Sequence, residues 1–224
     1  MNNQVDLKKA QKIDPLKKQP LEGVKSEELS PMDPPEAYKP PATVEQVPYE
    51  KMPMFLKKLI DEHKEFKNRI DSFEEAILAV VDEGITKQTN QAVRDFFYYF
   101  DNDFRDHNQR EEKKLFVLLH EKFLETGEYS QGSESSPVTV LEEDHFKATQ
   151  QAAVIFNFFS LAFRLPDRNS SLIVFDTALE KSKELIELLR LHIFREENIV
   201  FPLACKLVSK NQFTCMENCN CSHK

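Results

Sequence analysis

Two short stretches of the sequence carry histidine and glutamate at the same spacing. Residues 107–112 read HNQREE and residues 192–197 read HIFREE, so in each case a glutamate follows a histidine by four positions. In an α-helix, residues four positions apart lie above one another on the same face. Each stretch can therefore direct one imidazole and one carboxylate to the same point, which is the arrangement of a pair of metal ligands.

A single histidine precedes each of these stretches in a similar local sequence. Residues 59–63 read LIDEH and residues 141–145 read LEEDH; the lone histidine stands 44 residues before its partner in the first half and 47 in the second. The repeat predicts two similar halves that pack face to face and bring four imidazoles and two carboxylates together. The candidate metal ligands are His63, His107, Glu111, His145, His192 and Glu196. These ligand types suit iron in particular, and zinc or manganese also fit them.

Helix-capping and helix-breaking residues predict four helices that would position these ligands. The predicted spans are 53–82, then 86 or 89 to 126, then 136 to a point before 166, and finally from about 170 onwards. Gly127 is expected to cap the second helix in the left-handed conformation, and Pro202 is expected to bend or end the fourth. The predicted fold is all-α, an up-down four-helix bundle over residues 52–209.

Two simpler interpretations of the histidines compete with metal binding. A lone histidine on an apolar helix face, such as His63, is usually a core residue hydrogen-bonded to a neighbour, but its repetition at His145 favours a ligand. His107 and Glu111 could form a solvated pair, yet they stand among phenylalanines, where a carboxylate without a cation is costly. His120 lies about 220° around the helix from His107 and is left out of the site.

The order of these residues resembles the hemerythrin-like (HHE cation-binding) domain family over residues 52 to 205. The family pattern is His, His-x-x-x-Glu, His, His-x-x-x-Glu, and the Phe201-Pro202 step after the last glutamate is also similar. A ferritin-like di-iron site would require two Glu-x-x-His steps. Only Glu142 to His145 fits that spacing in the apolar stripe, so the order of residues favours the hemerythrin-like interpretation.

The resemblance implies a non-haem centre of two iron ions. By the family's arrangement, His63 and His107 would hold one iron and His145 and His192 the other. Glu111 and Glu196 would bridge them, with an oxo or hydroxo bridge and an open coordination position. Oxygen-carrying members have a fifth histidine one turn after the third-helix ligand, where this chain has Thr149. Without this histidine, the resemblance implies a more open centre that reacts with oxygen, peroxide or nitric oxide. Simple oxygen carriage is the less favoured role.

Composition excludes several other classes of function. The net charge of −8, without a basic face, argues against a nucleic-acid partner. No apolar run is long enough for a signal peptide or a membrane span, which predicts a cytoplasmic protein without a membrane partner. All four cysteines follow residue 204, so no disulfide framework is expected in the core.

Both ends of the chain are predicted to be tails. Residues 1–50 contain eight of the twelve prolines and none of the eighteen phenylalanines, so residues 1–51 are expected to be a disordered, charged tail whose protein partner, if it docks one, is not identified. Residues 210–224 contain Cys215, Cys219 and Cys221 and are expected to be a frayed, oxidisable tail, with zinc or copper binding as the alternative.

Two functions from different classes follow from these observations. In the first, the di-iron centre binds or reacts with O2, peroxide or NO as a store, sensor or scavenger; this role favours a binding protein over an enzyme. In the second, the bundle is an iron-sensing or protein-interaction module whose folding is linked to iron occupancy. A variant of the second is an iron donor similar to proteins that repair iron-sulfur centres, although those carry their cysteines at the N-terminus.

Overall fold

Four long helices form the bundle that the sequence predicts. The computed structural model describes residues 44–83, 86–127, 136–162 and 164–218, and contains no strand among them. Bundle helix 1 is Met54–Glu83 and bundle helix 3 is Pro137–Ala162. Bundle helix 2 spans residues 87–126 and bundle helix 4 spans residues 168–207. Short connections between successive long helices give the up-down order, and the predicted fold class is confirmed.

Bundle helices 2 and 4 are interrupted by π-helical turns. Helix 2 is α-helical over Lys87–Tyr99, Arg105–Arg110 and Val117–Thr126, with π-helix over Phe100–Phe104 and Glu111–Phe116. Helix 4 is α-helical over Arg168–Arg195 and Phe201–Leu207, with π-helix over Glu196–Val200. Pro202 neither ends helix 4 nor breaks it, because the preceding π-turn and the first turn of the last segment accommodate a residue that lacks an N–H.

The helix ends are set by local side-chain contacts. Thr86, one of the two predicted starts, caps helix 2 through a capping box with Thr89, and Gly127 ends that helix with φ of 69°, as the sequence predicts. Helix 4 begins at Arg168, two residues before the predicted start, because the Asp167 carboxylate accepts a hydrogen bond from the backbone N–H of Ser170.

The apolar core is divided into two clusters by a polar layer. One cluster includes Phe66, Ile70, Phe73, Phe96, Phe104, Ala148 and Leu189. The other includes Leu56, Leu59, Leu115, Phe116, Leu141, Val200 and Phe201. Along every bundle helix, the candidate ligands stand between residues of the first cluster and residues of the second. The polar layer therefore crosses the bundle at one level and is closed above and below by apolar side chains.

The C-terminal segment differs from the sequence prediction. Lys210–Glu217 is a helix, not a frayed tail: Ser209 and Gln212 cap its start, and Phe213 and Met216 are buried in the second cluster. Glu217 accepts a hydrogen bond from the Phe55 backbone N–H, and the Met216 carbonyl accepts one from Lys114. Burial of two apolar side chains, the capping box and these hydrogen bonds together oppose the entropy of ordering this short helix. Cys219 and Cys221 lie outside the described residues.

The predicted disordered N-terminal segment does not extend to residue 51. Tyr49–Lys51 forms a turn of 3-10 helix, Gln46 donates to the carbonyl of Asn198 at 2.9 Å, and the Tyr49 hydroxyl donates to Asp61 at 2.9 Å. Val47 packs against the second core cluster, which explains why these residues lie against the bundle. The tail predicted for residues 1–43 lies outside the described residues.

No helix within residues 44–83, 86–127, 136–162 and 164–218 has both the length and the apolar character needed to cross a membrane.

Candidate metal centre

All six candidate ligands meet in the polar layer of the bundle. Glu111 and Glu196 are 0% exposed, and each of the four histidines is at most 4% exposed. The histidines of helices 1 and 3 come from straight α-helical segments. The two glutamates are each the first residue of a π-turn, so the repeated sequence produces a repeated backbone feature at the site. π-turns inside α-helices occur frequently at functional sites.

The six side chains form two overlapping groups. His63, His107, Glu111 and Glu196 form one group, and Glu111, His145, His192 and Glu196 form the other. In each group, one potential ligand atom per residue lies within 4.8 Å of the ligand atoms of the others. The Nε2 atoms of His63 and His107 are 3.1 Å apart, as are those of His145 and His192. Both glutamates belong to both groups, as bridging carboxylates would.

The carboxylate oxygens at the centre lack hydrogen-bond partners among the described residues. All four oxygens of Glu111 and Glu196 are buried without one, although imidazole nitrogens approach them. His63 Nε2 lies 3.0 Å from Glu196 Oε2, and His107 Nε2 lies 3.3 Å from Glu111 Oε1. Buried carboxylates without partners cost free energy unless a cation neutralises them. The donor set and these unpartnered oxygens fit divalent metal ions.

Each histidine turns its other ring nitrogen, Nδ1, towards an outer carboxylate. His63 Nδ1 is 3.0 Å from Glu197, His107 Nδ1 is 2.8 Å from Glu62, and His145 Nδ1 is 2.7 Å from Glu112. A carboxylate only accepts, so the network assigns the proton to Nδ1 and leaves the Nε2 lone pair for a metal. Such partners fix the orientation and increase the basicity of a ligating imidazole.

The fourth outer carboxylate, Asp144, fits this pattern less closely. Its Oδ2 lies 3.9 Å from His192 Nδ1, and that nitrogen is buried without a hydrogen-bond partner in the described part of the chain. Asp144 occupies the position that Glu62 has in the first half, directly before the lone histidine. The aspartate side chain is one methylene shorter, which leaves the carboxylate out of hydrogen-bonding distance.

Arginines hold the two outer carboxylates that precede the lone histidines. Arg110 donates to Glu62 Oε2, and Arg195 donates to Asp144 Oδ2 at 2.6 Å. Both arginines stand directly before a ligand glutamate. The pseudo-twofold symmetry of the repeat therefore extends beyond the ligands to the charges that position them.

Aromatic rings close the layer on both sides. Phe201 stacks on His63 with ring centroids 5.7 Å apart, and Phe116 stacks on His145 at 5.8 Å. Each phenylalanine follows a ligand glutamate by five residues, which is the spacing that a π-turn brings onto one face. Phe104 contacts the rings of His107, His145 and His192 from the other core cluster. These rings exclude water from the inner nitrogens.

The electrostatics of the metal-free site favour protonated imidazoles. Burial lowers the pKa of His107, but Glu111 and Glu62 outweigh burial and raise the pKa to about 10. Burial likewise lowers the pKa of His63 and of His145, and nearby carboxylates raise both above their ordinary value. Burial raises the pKa of Glu196, but His192 and His63 hold it well below its usual range. Positive charge is therefore favoured at this point, whether from protons or from a cation.

Two other residues named from the sequence lie outside both groups. His120 Nε2 lies 3.3 Å from Glu142, and its side chain is 37% exposed. Thr149 lies one turn beyond His145, where its hydroxyl donates to the His145 carbonyl at 2.9 Å. Thr149 and His145 both line a cleft of about 350 Å³ between bundle helices 2 and 3.

Sequence reasoning did not assign roles to the four outer carboxylates. The signal was present, because an acidic residue directly precedes each lone histidine and a second glutamate directly follows each ligand glutamate. Neighbouring residues point to different sides of a helix, however, so periodicity along one helix does not show that these acids reach histidines on other helices.

Comparison with known proteins agrees with the arrangement of the site. The family model described as Hemerythrin, the hemerythrin HHE cation binding domain, matches residues 54–204. No curated protein and no solved structure gave a match.

Proposed function

The chain belongs to the hemerythrin HHE cation-binding domain family, and from this premise we propose that it holds two iron ions and binds or reacts with O2, peroxide or NO. His63 and His107 would hold one ion, His145 and His192 the other, and Glu111 and Glu196 would bridge them. The observation that carries the proposal is the pair of fully buried glutamates whose four oxygens lack hydrogen-bond partners in the described part of the chain.

The choice of iron rests on the donor set. Imidazole suits zinc, copper, iron and nickel, and a bundle core that combines imidazoles with shared carboxylates is the usual setting of non-haem di-iron sites. The two overlapping groups also favour two ions over one, because Glu111 and Glu196 each offer two oxygens, one for each side. Zinc and manganese are the alternatives that the same donors accept.

The protein's own residues prepare the site for a small ligand. Glu62, Glu112 and Glu197 hold one imidazole proton on each Nδ1, so that Nε2 faces the centre and can donate its lone pair once its own proton has left. Phe104, together with the two rings stacked on His63 and His145, keeps the inner nitrogens dry. Bound iron would supply the redox chemistry and the coordination position for the ligand.

The test is metal analysis with an optical spectrum of full-length protein purified from iron-supplemented cells. Two irons per chain, with charge-transfer bands that change on exposure to oxygen, peroxide or NO, would support the proposal. One zinc per chain, or no metal, would contradict it. Glu111→Ala is the matched variant, since it removes a shared ligand and should reduce the content of both ions.

The second candidate is an iron-sensing module whose folding depends on iron occupancy. It is favoured by the same buried carboxylates, because a cation that binds them only in the folded state stabilises the fold. Titration of metal-free protein with iron, with and without oxygen, separates the two functions. Iron-dependent gain of structure without oxygen-dependent absorption would support the sensing role and contradict the first proposal.

A further inference from the structure

The two sides of the centre are covered differently. On the His63 side, Lys67 donates to both oxygens of Glu197 at 2.9 Å, and Glu197 in turn contacts His63 Nδ1. This chain of contacts places an ion pair over the imidazole. Lys67 stands four residues after His63.

On the His145 side, the matching position carries a short side chain. Thr149 stands four residues after His145, and its hydroxyl bonds back to the His145 carbonyl instead of reaching Glu112, the acid on His145 Nδ1. Here the cleft of about 350 Å³ runs inwards until His145 itself forms part of its wall. The pseudo-twofold symmetry of the bundle is broken at its surface.

Polar groups line this cleft. Asp101, Glu112 and Glu142 contribute carboxylates, and Arg105 contributes a guanidinium. Asn108 is only 8% exposed, and its Oδ1 has no hydrogen-bond partner among the described residues. The matching residue in the second half is Ile193, so the buried amide is specific to this side.

The cleft has the size and the charge to admit a hydrated divalent cation. At about 30 Å³ per water, a cation with six waters occupies roughly 180 Å³. The lining carboxylates outnumber the lining cationic groups, which attracts a cation, and a buried amide oxygen can replace one of its waters on the way in.

We propose that this cleft is the route by which a hydrated divalent cation reaches the His145/His192 side of the centre, with Thr149 on its wall one turn beyond His145. This side therefore exchanges its metal faster than the His63/His107 side, which the Lys67–Glu197 ion pair covers. The inference rests on the proposed metal centre, and its test separates the two.

The experiment follows cobalt(II) uptake by metal-free, full-length protein and cobalt(II) release to a chelator, both by absorbance. Wild type should bind two cobalt ions and exchange them in a fast and a slow phase. Thr149→Lys copies Lys67 and should form an ion pair with Glu112 that has to open before the cation can pass. We expect uptake and release in the fast phase both to slow by about fivefold, which corresponds to the free energy of a surface ion pair. Lys67→Thr should accelerate the slow phase.

Two further variants distinguish steric closure of the cleft from the effect of the lysine charge. Thr149→Met adds bulk without charge and should slow the fast phase, whereas Thr149→Val keeps the size and should leave it unchanged. Two bound ions with unchanged phases in Thr149→Lys and Thr149→Met would overturn the access route alone. Slower uptake with faster release in Thr149→Lys would also overturn the access route, because that result indicates that the lysine charge repels the bound cation and does not close the cleft. Failure of wild type to bind cobalt at all would overturn the metal centre and the route together.

Discussion

His192 Nδ1 lies 3.9 Å from Asp144 Oδ2, which is too far for a hydrogen bond. The matching pair in the first half, His107 and Glu62, is 2.8 Å apart. The two imidazoles are thus held unequally although the surrounding sequence repeats. We expect the His145/His192 side to bind metal more weakly, because one of its ligands is neither oriented nor polarised by an outer carboxylate.

Asp144→Glu should strengthen that side by supplying the missing methylene. Mutation of an outer carboxylate typically changes metal affinity by roughly tenfold to a hundredfold. We expect the affinity of the weaker of the two binding steps to rise by up to this factor. The measurement is a zinc titration in competition with a chelator. Glu62→Asp is the matched control and should weaken the stronger step. Equal affinities in wild type would show that the longer distance has no effect.

Loss of one inner imidazole should remove metal. In His107→Ala or His192→Ala, a metal would lack a nitrogen ligand, and the apo site would retain two buried carboxylates with one imidazole fewer beside them. We expect metal content and melting temperature both to fall. His120→Ala, which removes a half-exposed histidine paired with Glu142, should change neither. Equal metal content in all three variants would contradict the assignment of ligands.

Metal-free protein should lose stability as the pH rises from neutral towards 10. The pKa of His107 is raised to about 10 in the folded state, against about 6.5 in an unfolded chain. Its protonation therefore stabilises the fold fully below about pH 6.5, and this contribution is lost as the pH rises through the folded pKa. Thermal unfolding of metal-free protein from pH 6 to pH 10 measures the loss.

Metal binding should release protons over the same pH range. A ligating imidazole must be neutral, so the proton held by His107, whose pKa is raised to about 10, has to leave, and the raised pKa values of His63 and His145 add protons to the release. A dye that reports pH in weakly buffered solution measures their number when zinc is added. Binding of zinc at pH 8 without proton release would show that these imidazoles are already neutral in the metal-free protein.

The C-terminal helix should stabilise the bundle without contributing to the metal site. Phe213 is 3% exposed in the second core cluster, and Phe→Ala at such a position typically costs about 3 to 5 kcal/mol. Phe213→Ala should therefore lower the free energy of unfolding while metal stoichiometry stays the same. Asn211→Ala, at an exposed position of the same helix, is the control. Equal stability of both variants would mean that the helix does not pack in solution.

The fold and the inner ligand set could be predicted because both depend on periodicity along single helices. His63, His107, Glu111, His145, His192 and Glu196 repeat at spacings that one helix face can present, and the structure brings all six together. That they bind metal stays a prediction of the repeat. Gly127 and Thr86 marked helix ends through conformations and side-chain bonds that depend on local sequence alone.

Two features of the structure depend on contacts between distant parts of the chain, which the local sequence does not reveal. The π-turns that begin at Glu111 and Glu196 shift the helix register by one residue. Phe116, five residues after Glu111, is therefore buried against His145, and an α-helix would not place these two positions on one face. The short helix Lys210–Glu217 has only two buried apolar side chains, Phe213 and Met216. Its order depends on the surface that Met52 and Phe55 present.

The division of the core has a consequence for how the molecule unfolds. Two apolar clusters, one containing Phe66 and the other Leu59, are joined through the layer of histidines and glutamates, in which only protons on the imidazoles balance the carboxylates when no metal is present. With metal, six side chains from all four bundle helices tie the clusters into one cooperative unit. Without it, each cluster can open separately, so amide hydrogen exchange in the metal-free protein should divide into two protection classes at His63 and His145.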